Sequence, residues 1–272
     1  MNQLKDGCSA DQISALPEVI LAEILSLLTL KEAARTSVLS KRWIDLWKCV
    51  TDLDFDASKA RHAIRGEDEV GCDMNLLAKE RNKYIKWVNQ VLERHKGPKV
   101  KSFRIKFNLN SEQSNPDCDI DRWAVFAISK RVKRMEVDLD RYCDVNVNAK
   151  GCCVLSEPCF NYIRTAEGLS NIRFLQSLIL RYVNMRSEIL EHFLCNCPLL
   201  EKLVVVCSHG LVKFKVAGSG SCLPLLKLQH LDVSDCDYLK EMEIHCAQPL
   251  TFHIQWSEDR SAYEKCFKSR WF

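Results

Sequence analysis

Residues 228–244 read LQHLDVSDCDYLKEMEI. Leu228, Leu231 and Val233 stand in the frame L-x-x-L-x-L, and Leu239, Met242 and Ile244 repeat it eleven residues on. The last two apolar positions of each copy are two residues apart, the period of a strand with one buried face. Working outward, the frame recurs as Val50/Leu53/Phe55, Val100/Phe103/Ile105, Val132/Met135/Val137, Leu175/Leu178/Leu180, Leu200/Leu203/Val205 and Leu211/Phe214/Val216. The spacing is irregular early in the chain, and pairs of copies eleven residues apart appear late. Each copy leaves an apolar face that only a neighbouring copy can cover, so the units are expected to stack as a solenoid. The competing reading is an unrelated mixed α/β fold.

The segments between copies read as helices. Leu76–His95 carries Leu77, Tyr84, Ile85, Val88, Val91 and Leu92 on one side. Asp121–Lys130 is a shorter candidate, and Ile189, Leu190, Phe193 and Leu194 mark a helix that must end before Pro198. Strands on one side and helices on the other give an α/β fold, a curved stack of parallel strands with flanking helices.

Residues 11–49 follow a different period. Pro17 suits a first helical turn. Ile20, Ile24, Leu27 and Leu28 form one apolar stripe, which Leu21 and Leu25 widen beyond half the circumference. Thr29 with Glu32 is a capping box that opens a second helix, with Ala33, Ala34, Val38 and Leu39 on its apolar side. Ser40 is positioned to cap a third short helix holding Trp43, Leu46 and Trp47. A unit of about forty residues buries little surface, yet its first helix is apolar on more faces than two neighbours can cover. Such a surplus marks either a docking face for a partner or packing against the rest of the same chain.

Ile13-Ser14-Ala15-Leu16-Pro17-Glu18, then Ile24–Leu28, Lys31, Ala33, Thr36–Trp43 and Leu46-Trp47 resemble an F-box of the form found in plant F-box proteins with leucine-rich repeats. The resemblance continues in Trp87-Val88-Asn89, His95-Lys96-Gly97-Pro98, Asp121–Ala124, Cys197–Leu203 and Leu228–Ile244. Cys236 and Asn108 fall eight residues after the first position of their copies, where such repeats often place Cys or Asn. The resemblance implies an F-box over residues 9–50, a leucine-rich-repeat region over 51–256 and a non-repeat tail over 257–272. It also implies that the chain is non-catalytic: it binds a Skp-type adaptor, and through it a cullin, in a ubiquitin ligase. The adaptor-binding candidates carried over are Leu16, Pro17, Ile20, Leu21, Ile24, Leu28, Leu39 and Trp43. Some of these would touch the adaptor and others fill the F-box core. Relatives of this kind often continue into further repeats, and the tail shows no strong polar cap, so a shortened product is one expectation.

The recognition surface is expected among strand side chains that alternate away from the core: Arg104, Lys106, Glu136, Lys202, Lys213, Lys215, His230, Asp232, Glu241 and Glu243. Their signs alternate, which suits a protein target more than a polyanion. Lys79–Lys106 holds ten Lys/Arg against two acids. It reads as a solvated basic face, or alternatively as the site of a repeat scaffold that binds an acidic protein or nucleic acid outside any ligase.

The remaining features exclude function classes. Hydrophobic residues at 47% and charged residues at 28% describe a packed globular chain with a net charge of +3. No run suits a transmembrane helix and the first fifteen residues lack a signal h-region, so the expected location is cytoplasmic or nuclear, with no membrane contact. The fifteen cysteines include no CxxC; the close groups are Cys152–Cys153, Cys159 and Cys195–Cys197, so they read as reduced small hydrophobes and no metal is expected. His62, His95, His192, His209, His230, His245 and His253 are scattered, although His230 and His245 fall on expected strands where they could face a ligand. No GxSxG, P-loop, GxGxxG or HExxH occurs, so no catalytic residue and no cofactor is expected.

Overall fold

The computed structural model describes residues 13, 15–58, 74–109, 116–139, 154–216, 227–246, 251–255 and 266–271. The chain opens with helices α1 (Glu18–Leu25) and α2 (Leu30–Arg35) and two 3-10 turns, Thr36–Val38 and Leu46–Cys49. There follow β1 (Asp52–Asp56), α3 (Met74–Arg94), β2 (Ser102–Lys106), α4 (Pro116–Ser129), β3 (Arg134–Asp138) and β4 (Val154–Leu155). Next come α5 (Glu157–Ile163), α6 (Ala166–Ile172), β5 (Ser177–Arg181), β6 (Asn184–Met185), α7 (Ser187–Asn196) and β7 (Lys202–Val206). The described elements end with β8 (Lys213–Val216), β9 (His230–Ser234), β10 (Glu241–Cys246), β11 (Thr251–Gln255) and β12 (Cys266–Trp271).

Seven parallel strands form the main sheet in the order β1-β2-β3-β5-β7-β9-β11. The frame explains the register. Leu53, Phe103, Met135, Leu178, Leu203 and Leu231 lie side by side in one buried column, and Phe55, Ile105, Val137, Leu180, Val205 and Val233 in a second. The first frame positions, from Val50 to Leu228, are buried beneath them. The two residues eight after the frame's start are also buried: Cys236 donates its thiol to the Ser234 carbonyl at 3.4 Å, and Asn108 accepts from the buried Arg81.

The paired copies do not all enter that sheet. The Leu211 and Leu239 copies form β8 and β10 of a second, three-stranded sheet, β12-β10-β8. The second sheet continues the layer begun by the helices: Ser187 Oγ, at the start of α7, accepts from the backbone N–H groups of Val212 (3.3 Å) and Lys213 (3.2 Å) beside β8. Phe214 and Met242 pack inward from this layer. β4 and β6 make a third, two-stranded sheet. The segment after 257, expected to stand outside the repeat, contributes β12 beside β10. Cys152, Cys153 and His62 lie outside the described residues.

The N-terminal unit joins the same core through Leu21, Leu25, Leu30, Ala33, Trp43 and Leu46. The capping box is present, Thr29 and Glu32 bonding reciprocally. The third helix is not an α-helix: Trp43 lies in turns and only Leu46–Cys49 winds as a short 3-10 segment, with Trp43 and Leu46 both buried. Ser40 makes no side-chain cap there; its carbonyl accepts from Trp43 N–H at 3.0 Å. The motif His95–Pro98 seals the junction. His95 Nε2 donates to the Val50 carbonyl at 3.0 Å, Lys96 N–H to the Lys48 carbonyl at 2.8 Å, and Lys96 Nζ meets Asp45 at 3.0 Å.

Candidate functional site

The periodicity of α1 identifies a face but not its direction. The structure turns Leu21, Ala22 and Leu25 inward, where Leu21 is fully covered. The regular stripe is therefore the outer one: Val19, Ile20, Ile24, Leu27 and Leu28 are exposed, Leu27 to 85%. Val38 (87%) and Leu39 (64%) extend the apolar surface from the turn after α2, and Ile44 adds to it. Among the described residues, nine of the twelve exposed large apolar side chains fall between Ile13 and Ile44. That concentration is what an interaction face looks like, whereas single exposed apolar residues are ordinary.

The carried-over candidates divide accordingly. Pro17, Ile20, Ile24, Leu28 and Leu39 are exposed. Leu16 is half-buried against the core, and its carbonyl accepts from the Arg42 guanidinium, which ties the start of the unit to its last segment. Leu21 and Trp43 fill the core and hold the face in place from behind. Val19, Leu27, Val38 and Ile44 belong to the open face and were absent from the candidate set. Their signal was the surplus itself, more apolar residues than so short a unit can enclose.

The strand candidates do not form one row. Arg104, Lys106, Glu136, Lys202, His230 and Asp232 lie on the main sheet, while Lys213, Lys215, Glu241 and Glu243 lie on the second sheet. On the main sheet the charges pair with each other. Arg104 meets Asp54 (3.6 Å), Asp56 (3.4 Å) and Glu136 (3.4 Å), and Glu136 also meets Arg181 at 3.1 Å. Arg134 meets Asp52 at 3.2 Å, and His253 meets Asp232 at 3.2 Å. On the second sheet Lys213 faces Glu241 (3.1 Å) and Lys215 faces Glu243 (2.9 Å) in register. Much of the alternation of sign is thus used between strands, while Lys106, Lys202 and His230 of the candidate set take no part in these pairs. The linear basic run divides too. Arg81 is buried against Asn108, Arg104 joins the carboxylates, and Lys83 pairs with Glu80 at 2.6 Å.

A cleft of about 1060 Å³ opens between the α1–α2 turn, β1 and α3, with Leu27, Lys31, Asp54, Trp87 and Arg104 among its lining. Lys31 Nζ lies 5.5 Å from the Trp87 ring centroid. Arg104 pairs with Asp54 and Asp56 along its wall.

The buried thiols behave as apolar groups. Burial pushes Cys159 up to about 12, with the charge of Asp121 adding to it, and likewise raises Cys236 to about 12 and Cys197 further still. Among the described residues, Cys49, Cys159, Cys197 and Cys236 are free thiols, and no His/Cys/Asp/Glu group is arranged to hold a metal. His230 is half-buried at the start of β9, and His245 lies on β10 in register with Arg270. No helix of the described residues is long and apolar enough to cross a membrane.

The sequence matches two domain descriptions. Residues 13–52 match the F-box domain, and residues 91–263 match the family described as At1g61320/AtMIF1, LRR domain. Among curated proteins of Arabidopsis thaliana, the chain is 30% identical over 203 residues to an F-box/FBD/LRR-repeat protein, covering 72% of this chain and 44% of that one. It is 29% identical over 217 residues to an FBD-associated F-box protein, covering 73% and 46%. It is 24% identical over 274 residues to F-box/LRR-repeat protein 13, covering 95% and 54%. The chain spans about half the length of the curated relatives it matches.

Proposed function

The chain belongs to the F-box/leucine-rich-repeat family, and from that premise we propose that it is the target-recognising subunit of a Skp–cullin–F-box ubiquitin ligase. The observation that carries the reading is the outward stripe of α1 with its extension at Val38 and Leu39. A Skp-type adaptor covers this face, and the repeats hold a target protein. Transfer of ubiquitin then depends on proximity, two proteins on one scaffold meeting at high effective concentration. On this reading no side chain of the chain takes part in bond chemistry, and its place is the cytoplasm or nucleus, where the ligase works.

The test is capture of a purified Skp-type adaptor by the full chain. Ile20→Asp with Leu27→Asp puts charge on two exposed positions and leaves the core untouched. Capture is expected to be stoichiometric for the unaltered chain and lost in this variant, with thermal unfolding unchanged. Equal capture by both proteins removes the docking face from the account. Absence of capture by the unaltered chain removes the ligase reading.

A further inference from the structure

Most of the charge on the strand face is paired in place, as Arg104, Glu136 and Arg181 show, whereas at the amino-terminal ends of the same strands several basic residues are not. The loops entering β2, β3 and β5 read KGPKVK (96–101), KRVKR (130–134) and RFLQ (173–176). Backbone hydrogen bonds lace them side by side. The Lys101 carbonyl accepts from Lys133 N–H (3.3 Å) and Arg134 N–H (3.1 Å), and the Lys133 carbonyl from Gln176 N–H (2.8 Å) and Ser177 N–H (3.0 Å). Lys130 Nζ crosses to the Gly97 carbonyl at 2.8 Å. Eight basic residues, far apart in sequence, thus share one rim of the solenoid. Asp45 pairs with Lys96, and Asp52 with Arg134. Lys99, Lys101, Lys133 and Arg173 are exposed and have no carboxylate partner among the described residues.

Arg131 is set among them in a fixed pose. It holds a left-handed backbone (φ 56°), unusual for a residue with a side chain. Its Nε donates to Asn171 Oδ1 at 3.1 Å and its guanidinium lies 5.4 Å from the Phe174 ring centroid. A hollow of about 440 Å³ beside it is lined by Lys99, Arg131, Ser129, Ser170, Asn171 and one carboxylate, Glu167.

We propose that this rim docks an acidic segment of the target protein, which names the chemistry of the target and rests on the target-holding role proposed above. Neighbouring strands are about 4.8 Å apart, so three adjacent loops span about 10 Å. That width matches an extended run of about three or four residues carrying Asp or Glu. A nucleic acid is the poorer fit. Single strands are held by aromatic faces as well as by charge, and Phe174, the one ring in these loops, has its face under Arg131.

The experiment is fluorescence anisotropy of a labelled hexaglutamate peptide, with an oligouridylate of equal charge in parallel, titrated with the full chain at low salt. The unaltered chain is expected to bind the peptide, more weakly as salt rises. Reversal at Lys99→Glu, Lys101→Glu, Lys133→Glu and Arg173→Glu is expected to weaken it at least about tenfold, a screened loss of several like contacts. The milder pair Lys133→Gln and Arg173→Gln is expected to weaken it less, and it serves if the fourfold variant does not fold. Lys79→Glu with Lys86→Glu, exposed on α3, is expected to leave it unchanged. Peptide binding that is absent, or insensitive to both rim variants, overturns the proposal, and so does tighter rim-dependent binding of the oligouridylate. Adaptor capture on the same proteins keeps the two readings apart. Failure of the rim leaves capture intact, whereas failure of the ligase reading leaves peptide binding and its rim dependence intact.

Discussion

The helical unit and the repeat stack share one core and treat their outer surfaces in opposite ways. On the main sheet, the side chains that alternate away from the core are mostly charged and pair across strands, as Arg104 does with Asp54, Asp56 and Glu136. On α1 and the turn after it they are Val19, Ile20, Ile24 and Leu27, with nothing among the described residues covering them. Covering one such aliphatic side chain is worth roughly 1.5–3 kcal/mol. Several together yield enough to offset the entropy of association and still leave useful affinity. The difference shows that surplus apolar surface here is placed, not left over, because the same helix supplies Leu21 and Leu25 to a fully closed core.

The largest way to break the comparison is inside the shared core. Phe103 sits fully buried in the first column, in edge-on contact with Phe55 at 5.8 Å between centroids. Phe103→Ala is expected to cost about 3–5 kcal/mol in chemical denaturation. The exposed Leu27→Asp is expected to cost less than about 0.5 kcal/mol. Comparable losses from both would mean that the face of α1 is part of the core after all.

The junction gives the next largest effect. A Cβ on Gly97 would stand 2.9 Å from His95 Cε1 and 3.4 Å from Cys49 Cα. The imidazole cannot swing aside without breaking its bond to the Val50 carbonyl. Gly97→Ala is therefore expected to cost about 1–3 kcal/mol, as overpacking does. If the unit were only loosely tethered, denaturation would not register the change.

His95 also makes the seam sensitive to acid. Burial, reinforced by the charge of Lys130 and opposed by the Val50 carbonyl, holds its pKa below the ordinary imidazole value. The unfolded chain then takes up the proton first as pH falls below about 6.5. Stability contributed by neutral His95 is complete above that pH and is lost progressively below it. Asp45 and Asp56, both held low, add losses in the same direction at more acidic pH. The difference in Tm between the unaltered chain and His95→Gln, followed from neutral to mildly acid pH, isolates the histidine; parallel curves would contradict it.

How much of this was legible follows from what a period can say. The two buried columns were readable because alternation is forced wherever a strand has one covered face. The division of the paired copies between two sheets was not, since Leu200 and Leu211 open identical frames and the frame carries no label for its layer. β11 escaped because Pro249 occupies the position where the frame would open. The stripe of α1 was legible, but its direction was settled only by which residues the repeat stack could cover. The basic rim was illegible for a further reason. It gathers Lys99, Lys133 and Arg173, residues that only parallel stacking brings together.

The smallest expected effect tests the other half of the comparison. Glu136 lies between two guanidiniums, Arg104 at 3.4 Å and Arg181 at 3.1 Å, on a partly exposed surface. In Glu136→Gln, Arg104 keeps Asp54 and Asp56, and Arg181 keeps Asp138 at 4.0 Å. Such pairs are worth about 0.2–1 kcal/mol and are screened by salt, so the loss is expected within that range and shrinking as salt is added. A salt-independent loss of several kcal/mol would show that the outer ladder holds the sheet together, and the contrast with α1 would then be between two structural faces. A loss within the expected range leaves the ladder as a neutralised wall beside the apolar face of α1.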